Sequence, residues 1–69
     1  MAVFTSSAFA MRRNLILEAL RDAGAVSPET AKALEETGLV NTEIFAEYTQ
    51  QLVDMRVIRS TADGRYYAD

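Results

Sequence analysis

The chain has 69 residues, 49% of them apolar, and sets 7 basic against 10 acidic side chains for a net charge of −3. The absence of Cys and His excludes disulfide stapling and the usual Cys/His metal sites, and a domain this small buries only about 60% of the surface its unfolded chain exposes. Self-association is the remaining common aid to stability at this length, so a homodimer is expected, while the acidic balance argues against a general polyanion binder.

Residues 1–11, MAVFTSSAFAM, read as an apolar extension ahead of a domain over 12–69. The stretch lacks a basic leading region, and Arg12, Arg13, Glu18, Arg21 and Asp22 interrupt any longer apolar run. Neither an export signal nor a membrane span is therefore expected. The faint twin-arginine pattern at Arg12-Arg13 fails because Glu18 and Arg21 stand where the apolar segment would continue. A cytoplasmic location without a membrane partner is the expectation.

From about Ala8 to Ala23, Ile16, Leu17, Leu20 and Ala23 recur at helical spacing, with Phe9 on the same side. Gly24 stands where a left-handed cap commonly ends a helix. Ser27-Pro28-Glu29 is the sharpest local signal. Ser27 can accept from a free backbone N–H, Pro28 suits the first helical position, and Glu29 complements the positive end of the dipole. A short helix from Pro28 to about Thr37 follows, with Ala31 and Leu34 facing inward and Gly38 closing it.

Asn41 or Thr42 then caps a third helix reaching about Met55. Ile44, Tyr48, Leu52 and Met55 form its apolar stripe, and Phe45 widens it. These side chains read as core, with only the Tyr48 tip able to reach a surface. The tail changes period: Val57-Ile58, then Asp63-Gly64, then Arg65-Tyr66-Tyr67 predict a hairpin with strands near 56–60 and 65–68. The fold class is mainly α with a small β-hairpin.

This order of elements resembles a winged helix-turn-helix domain, and the residues carry the likeness further. Ile16-Leu17-x-x-Leu20-x-x-x-Gly24 resembles that superfamily's first helix, Ser27-Pro28-Glu29-Thr30-Ala31-x-x-Leu34 its second, and Thr37-Gly38-Leu39 the turn between helices two and three. Leu52-x-x-x-Arg56-Val57-Ile58-Arg59 looks like the third helix entering the wing, and Asp63-Gly64-Arg65-Tyr66-Tyr67 like the returning strand. Arg56 departs from the pattern, since the family often has Gly after the third helix. That helix is also about one residue longer than usual. The resemblance implies a three-helix winged domain, and a third helix that in many members lies in the major groove of DNA.

The charges pull the other way. Residues 25–54 hold one base, Lys32, against Glu29, Glu35, Glu36, Glu43, Glu47 and Asp54, a net of −5. The third helix has no Lys or Arg to neutralise phosphate. Positive charge sits instead at the two ends of the chain, at Arg12, Arg13 and Arg21 and at Arg56, Arg59 and Arg65. Two readings result. In the first, the chain is a regulatory protein-interaction or dimerisation module, with Val3, Phe4, Phe9, Met11, Glu43 and Glu47 as candidate interface residues and an acidic surface suited to a basic partner. In the alternative, it is a DNA-binding transcriptional regulator that contacts phosphate through the wing, with Arg56, Arg59, Arg65 and Tyr66 as contacts.

No enzyme is expected. There is no His or Cys to act as base or nucleophile, the serines have no activating partner, and the glycines lack a phosphate-cradling spacing. Glu35-Glu36 and Glu43/Glu47 read as solvated faces rather than acid/base pairs. No cofactor and no small-molecule substrate are implied.

Overall fold

The structure, a computed structural model, describes residues 7–68. It is mainly helical, with two α-helices and one small antiparallel hairpin: α1 (Ser7–Asp22), α2 (Ala46–Asp54), β1 (Arg59–Ser60) and β2 (Tyr66–Tyr67). No helix among the described residues is long and apolar enough to cross a membrane.

Helix α1 forms as its periodicity predicts, and it runs without a break across positions 11 and 12. Ile16 and Leu20 are fully buried, with Phe9 and Leu17 packed against them. Gly24 ends the helix at φ +77°. There the Gly24 N–H donates to the Arg21 carbonyl and the Ala25 N–H to the Leu20 carbonyl, a paired closure that needs a left-handed residue at position 24.

The second predicted helix is not continuous. Pro28–Thr30 and Leu34–Thr37 are two separate 3-10 turns, and the residues between them are extended. Ala31 has φ −56° and ψ 146°, and Ala33 has φ −65° and ψ 144°. The reason is a long-range pairing. The Lys32 N–H donates to the Tyr66 carbonyl at 2.9 Å, and the Tyr66 N–H returns a bond to the Lys32 carbonyl at 2.8 Å. Lys32 thereby extends the hairpin by one bridge, and one farther step of the tail is held by the Ala68 N–H on the Ala25 carbonyl.

Local chemistry at both turns is consistent with this. The Thr30 hydroxyl accepts from the Val26 and Ser27 N–H groups, and the Ser27 hydroxyl pairs with it rather than with a free backbone N–H. The Glu36 carboxylate accepts from the Ala33 N–H. Gly38 closes the second turn at φ +89°.

The third predicted helix is shorter than its pattern. Residues 42–45 are turns, Asn41 takes φ +59°, and α2 starts at Ala46. Ile44 therefore lies outside the helix and is 74% exposed, and Met55, beyond the other end, is exposed as well. Leu52 is buried as the stripe predicts, joined by Thr49 and flanked by half-buried Phe45, Tyr48 and Val53. The Thr49 hydroxyl is satisfied by the Phe45 carbonyl one turn back.

The hairpin closes the core. Arg59 pairs with Tyr67 and Ser60 with Tyr66. The predicted Asp63-Gly64 turn is present, with Gly64 at φ +82° and its N–H on the Thr61 carbonyl. Ile16, Leu20, Leu52 and Ile58 are completely buried, one contributed by the hairpin approach and three by the helices. Each such side chain supplies about 1.5–3 kcal/mol of hydrophobic stabilisation.

Candidate interaction surfaces

The hairpin end carries the three tail arginines. Arg56 follows α2 at φ +63°. Its N–H donates to the Val53 carbonyl and the Val57 N–H to the Leu52 carbonyl, the same helix closure that Gly24 makes for α1. Arg56, Arg59 and Arg65 are all exposed. Arg65 meets Asp63, Nε to Oδ2, at 3.4 Å, and an exposed pair of this kind contributes little. Asp63 also accepts the Thr61 hydroxyl, and this bond, more than Arg65, holds its carboxyl below the ordinary range.

Tyr66 does not join these arginines. Residues directly opposite in an antiparallel pair share a face, and neighbours along a strand alternate. Arg59 thus shares a face with Tyr67 and, by alternation, Arg65. Tyr66 lies on the other face and lines a groove of about 310 Å³ together with Glu35, Thr42, Glu43 and Gln50. Of the four predicted DNA contacts, Arg59 and Arg65 share one face of the hairpin, Tyr66 lies on the other, and Arg56 stands before the hairpin at the end of α2.

That groove is acidic. The Glu35 carboxylate accepts the Thr42 hydroxyl at 2.8 Å. Its own backbone N–H first, and Thr42 second, hold its carboxyl below the usual range. The stabilising share of such a lowered carboxylate is present above its unfolded pKa and is lost as pH falls through the folded one. Glu43 lines the same groove from the turn before α2, and exposed Val40 and Ile44 stand beside it. Glu47 is exposed in the first turn of α2. The two glutamates thus occupy different local structures, although their spacing reads as one helical turn.

The candidate residues on α1 also separate. Phe9 packs edge-on against Tyr48, with ring centres 5.4 Å apart, and Tyr48 stacks on Phe45 at 5.6 Å. Phe9 is thereby partly buried within the chain. Met11 is 64% exposed. Val3 and Phe4 lie outside the described residues.

One residue escaped the sequence reading. Arg12 is only 5% exposed, and its guanidinium lies over the Phe45 ring, 4.7 Å from the centre. Its Nε and Nη2 are buried and have no hydrogen-bond partner. The signal was available, since Arg12 sits four residues before Ile16 and eight before Leu20, on the apolar side of α1.

Among the described residues no three carboxylates converge closely enough to hold a metal ion. No protein-family model, curated protein or solved structure matches the chain.

Proposed function

We propose that the chain is a non-enzymatic, winged-helix-like binding module that acts in the cytoplasm by associating with protein, itself included, in a regulatory setting. The observation that carries this reading is the composition of the exposed surface. Met11, Leu15, Val40, Ile44 and Met55 are all more than half exposed on a domain of this size, and exposed apolar clusters mark sites of association. The helix at the position of a DNA reader, α2, bears Glu47 and Asp54 and no base. The order helix, turn segment, helix, hairpin supports the winged-helix reading, as does the left-handed backbone of Arg56 where that superfamily often has Gly.

The exposed Arg56, Arg59 and Arg65 support the second reading, a wing-led contact with DNA phosphate. A duplex titration of the full chain at low salt separates the two. No duplex affinity, together with concentration-dependent self-association, is expected. Salt-sensitive binding that disappears in an Arg56→Ala, Arg59→Ala, Arg65→Ala triple variant overturns the protein-interaction reading in favour of DNA.

A further inference from the structure

We infer that the chain dimerises through α1, packed antiparallel on the α1 of a second copy, so that each buried Arg12 gains a carboxylate, Glu18 or Asp22, from its partner. The inference rests on the protein-association reading and names its surface. Along α1, Ala8, Met11, Leu15, Glu18 and Asp22 follow one another at spacings of three and four. They therefore form one continuous stripe, and all five are exposed. Met11 is 64% exposed and Leu15 51% exposed. The stripe is thus apolar in its first half and acidic in its second.

Arg12 borders the apolar half. With Ala8, Met11, Leu15 and Phe45 it lines a groove of about 230 Å³. A buried guanidinium is costly, and a carboxylate brought to the groove offsets its charge through Nη1, the one nitrogen of the three that is not closed off. The occupant that fits is therefore a carboxylate carried on an apolar helical surface. The chain's own α1 stripe has that chemistry. Arg12 lies three residues before Leu15 and Glu18 three after, so each is about 4.5 Å of helical rise from it. A twofold axis crossing α1 at Leu15 sets Arg12 of one copy level with Glu18 of the other. An axis half a turn further on brings Asp22 level instead. Parallel packing sets Arg12 beside Arg12 and Glu18 beside Glu18, which like-charge repulsion disfavours.

Sedimentation of the full chain across a wide concentration range tests this, with Leu15→Glu, the double variant Glu18→Lys/Asp22→Lys, and Ile44→Glu as a control on the other exposed apolar site. All four substituted positions are exposed, so circular dichroism is expected to report an unchanged fold. A dimer is expected for the wild type and for Ile44→Glu, with the dissociation constant raised about tenfold or more by each α1 variant. A wild-type dimer that ignores Leu15→Glu but weakens with Ile44→Glu overturns the α1 surface and leaves the association reading standing. Disruption by Leu15→Glu without disruption by the lysine double variant overturns the Arg12 pairing. A wild type monomeric throughout overturns the inference, and the self-association part of the function with it. A monomer whose α1 amides shift saturably on titration with octanoate makes the Arg12 groove a site for a small amphiphilic anion and overturns the second copy as occupant.

Discussion

Two arginines sit where their chemistry is least comfortable, and each predicts a gain from its removal. In the isolated chain, Arg12 balances one cation–π contact with Phe45, worth about 0.5–2 kcal/mol, against two unsatisfied buried nitrogens costing about 1–3 kcal/mol each. Desolvation wins, since an unpaired buried charge is often replaced with profit by an apolar side chain of similar volume. Arg12→Met is therefore expected to raise the stability of the monomer by about 1 kcal/mol or more, read by urea unfolding at low protein concentration. The same variant should weaken self-association, and a loss of monomer stability would show that the cation–π contact outweighs the burial. Arg56 poses a backbone problem instead. At φ +63° a side-chain-bearing residue is strained by about 1–2 kcal/mol, which glycine does not feel. Arg56→Gly should therefore stabilise the chain by about 1 kcal/mol in the same assay, and an unchanged or lower midpoint would contradict the left-handed cap.

Elements were legible from sequence where they are set locally and obscured where distant residues decide them. The end of α1 at Gly24 and the Asp63-Gly64 turn each depend on a few adjacent residues, and both form where the pattern places them. The Ser27-Pro28-Glu29 signal specifies only a first turn, and in that turn the Thr30 hydroxyl rather than Ser27 takes the free N–H groups. Whether Ala31-Lys32-Ala33 continues as helix depends on Tyr66, more than thirty residues away, and no local periodicity encodes that competition. The apolar run at Ile44-Phe45 misled in a similar way. The turn at 42–45 shifts the helix start, so Ile44 and Met55 leave the buried stripe, Leu52 stays in it and Thr49 joins it. Arg12 lies on the apolar side of α1 by its spacing from Ile16 and Leu20, but its charge gives no sign that it is buried. The bridge at Lys32 has its own test. Gly64→Val strains the hairpin turn at φ +82° and should lower amide-exchange protection at Tyr66 and Lys32 together, by about tenfold if the strain is near 1–2 kcal/mol. In a continuous helix the Lys32 N–H bonds within its own segment, so protection lost at Tyr66 but kept at Lys32 would contradict the pairing.

At the scale of the whole molecule, only four large side chains among the described residues are fully removed from water, Ile16, Leu20, Leu52 and Ile58, and the sequence has no Cys to form a covalent staple. A core this small leaves little margin, so whatever binds the folded state becomes part of its stability. If the binding partner is a second copy, folding and dimerisation are linked, and the melting temperature must depend on concentration. The size of the effect follows from general values. A tenfold rise in chain concentration favours the dimer by about 1.4 kcal/mol. Unfolding entropy near 2.1 cal/mol/K per residue, taken over two chains of 69 residues, comes to about 0.3 kcal/mol/K. The melting temperature should therefore climb by about 5 °C per decade of concentration while the dimer is populated. Leu15→Glu should flatten that dependence by leaving a monomer whose transition is set by its own core. Ile44→Glu, on the exposed patch beside Val40 and outside the α1 groove, should preserve it. Calorimetry over two decades of concentration reads all three, and a wild-type midpoint that stays fixed would mean that this small core stands alone.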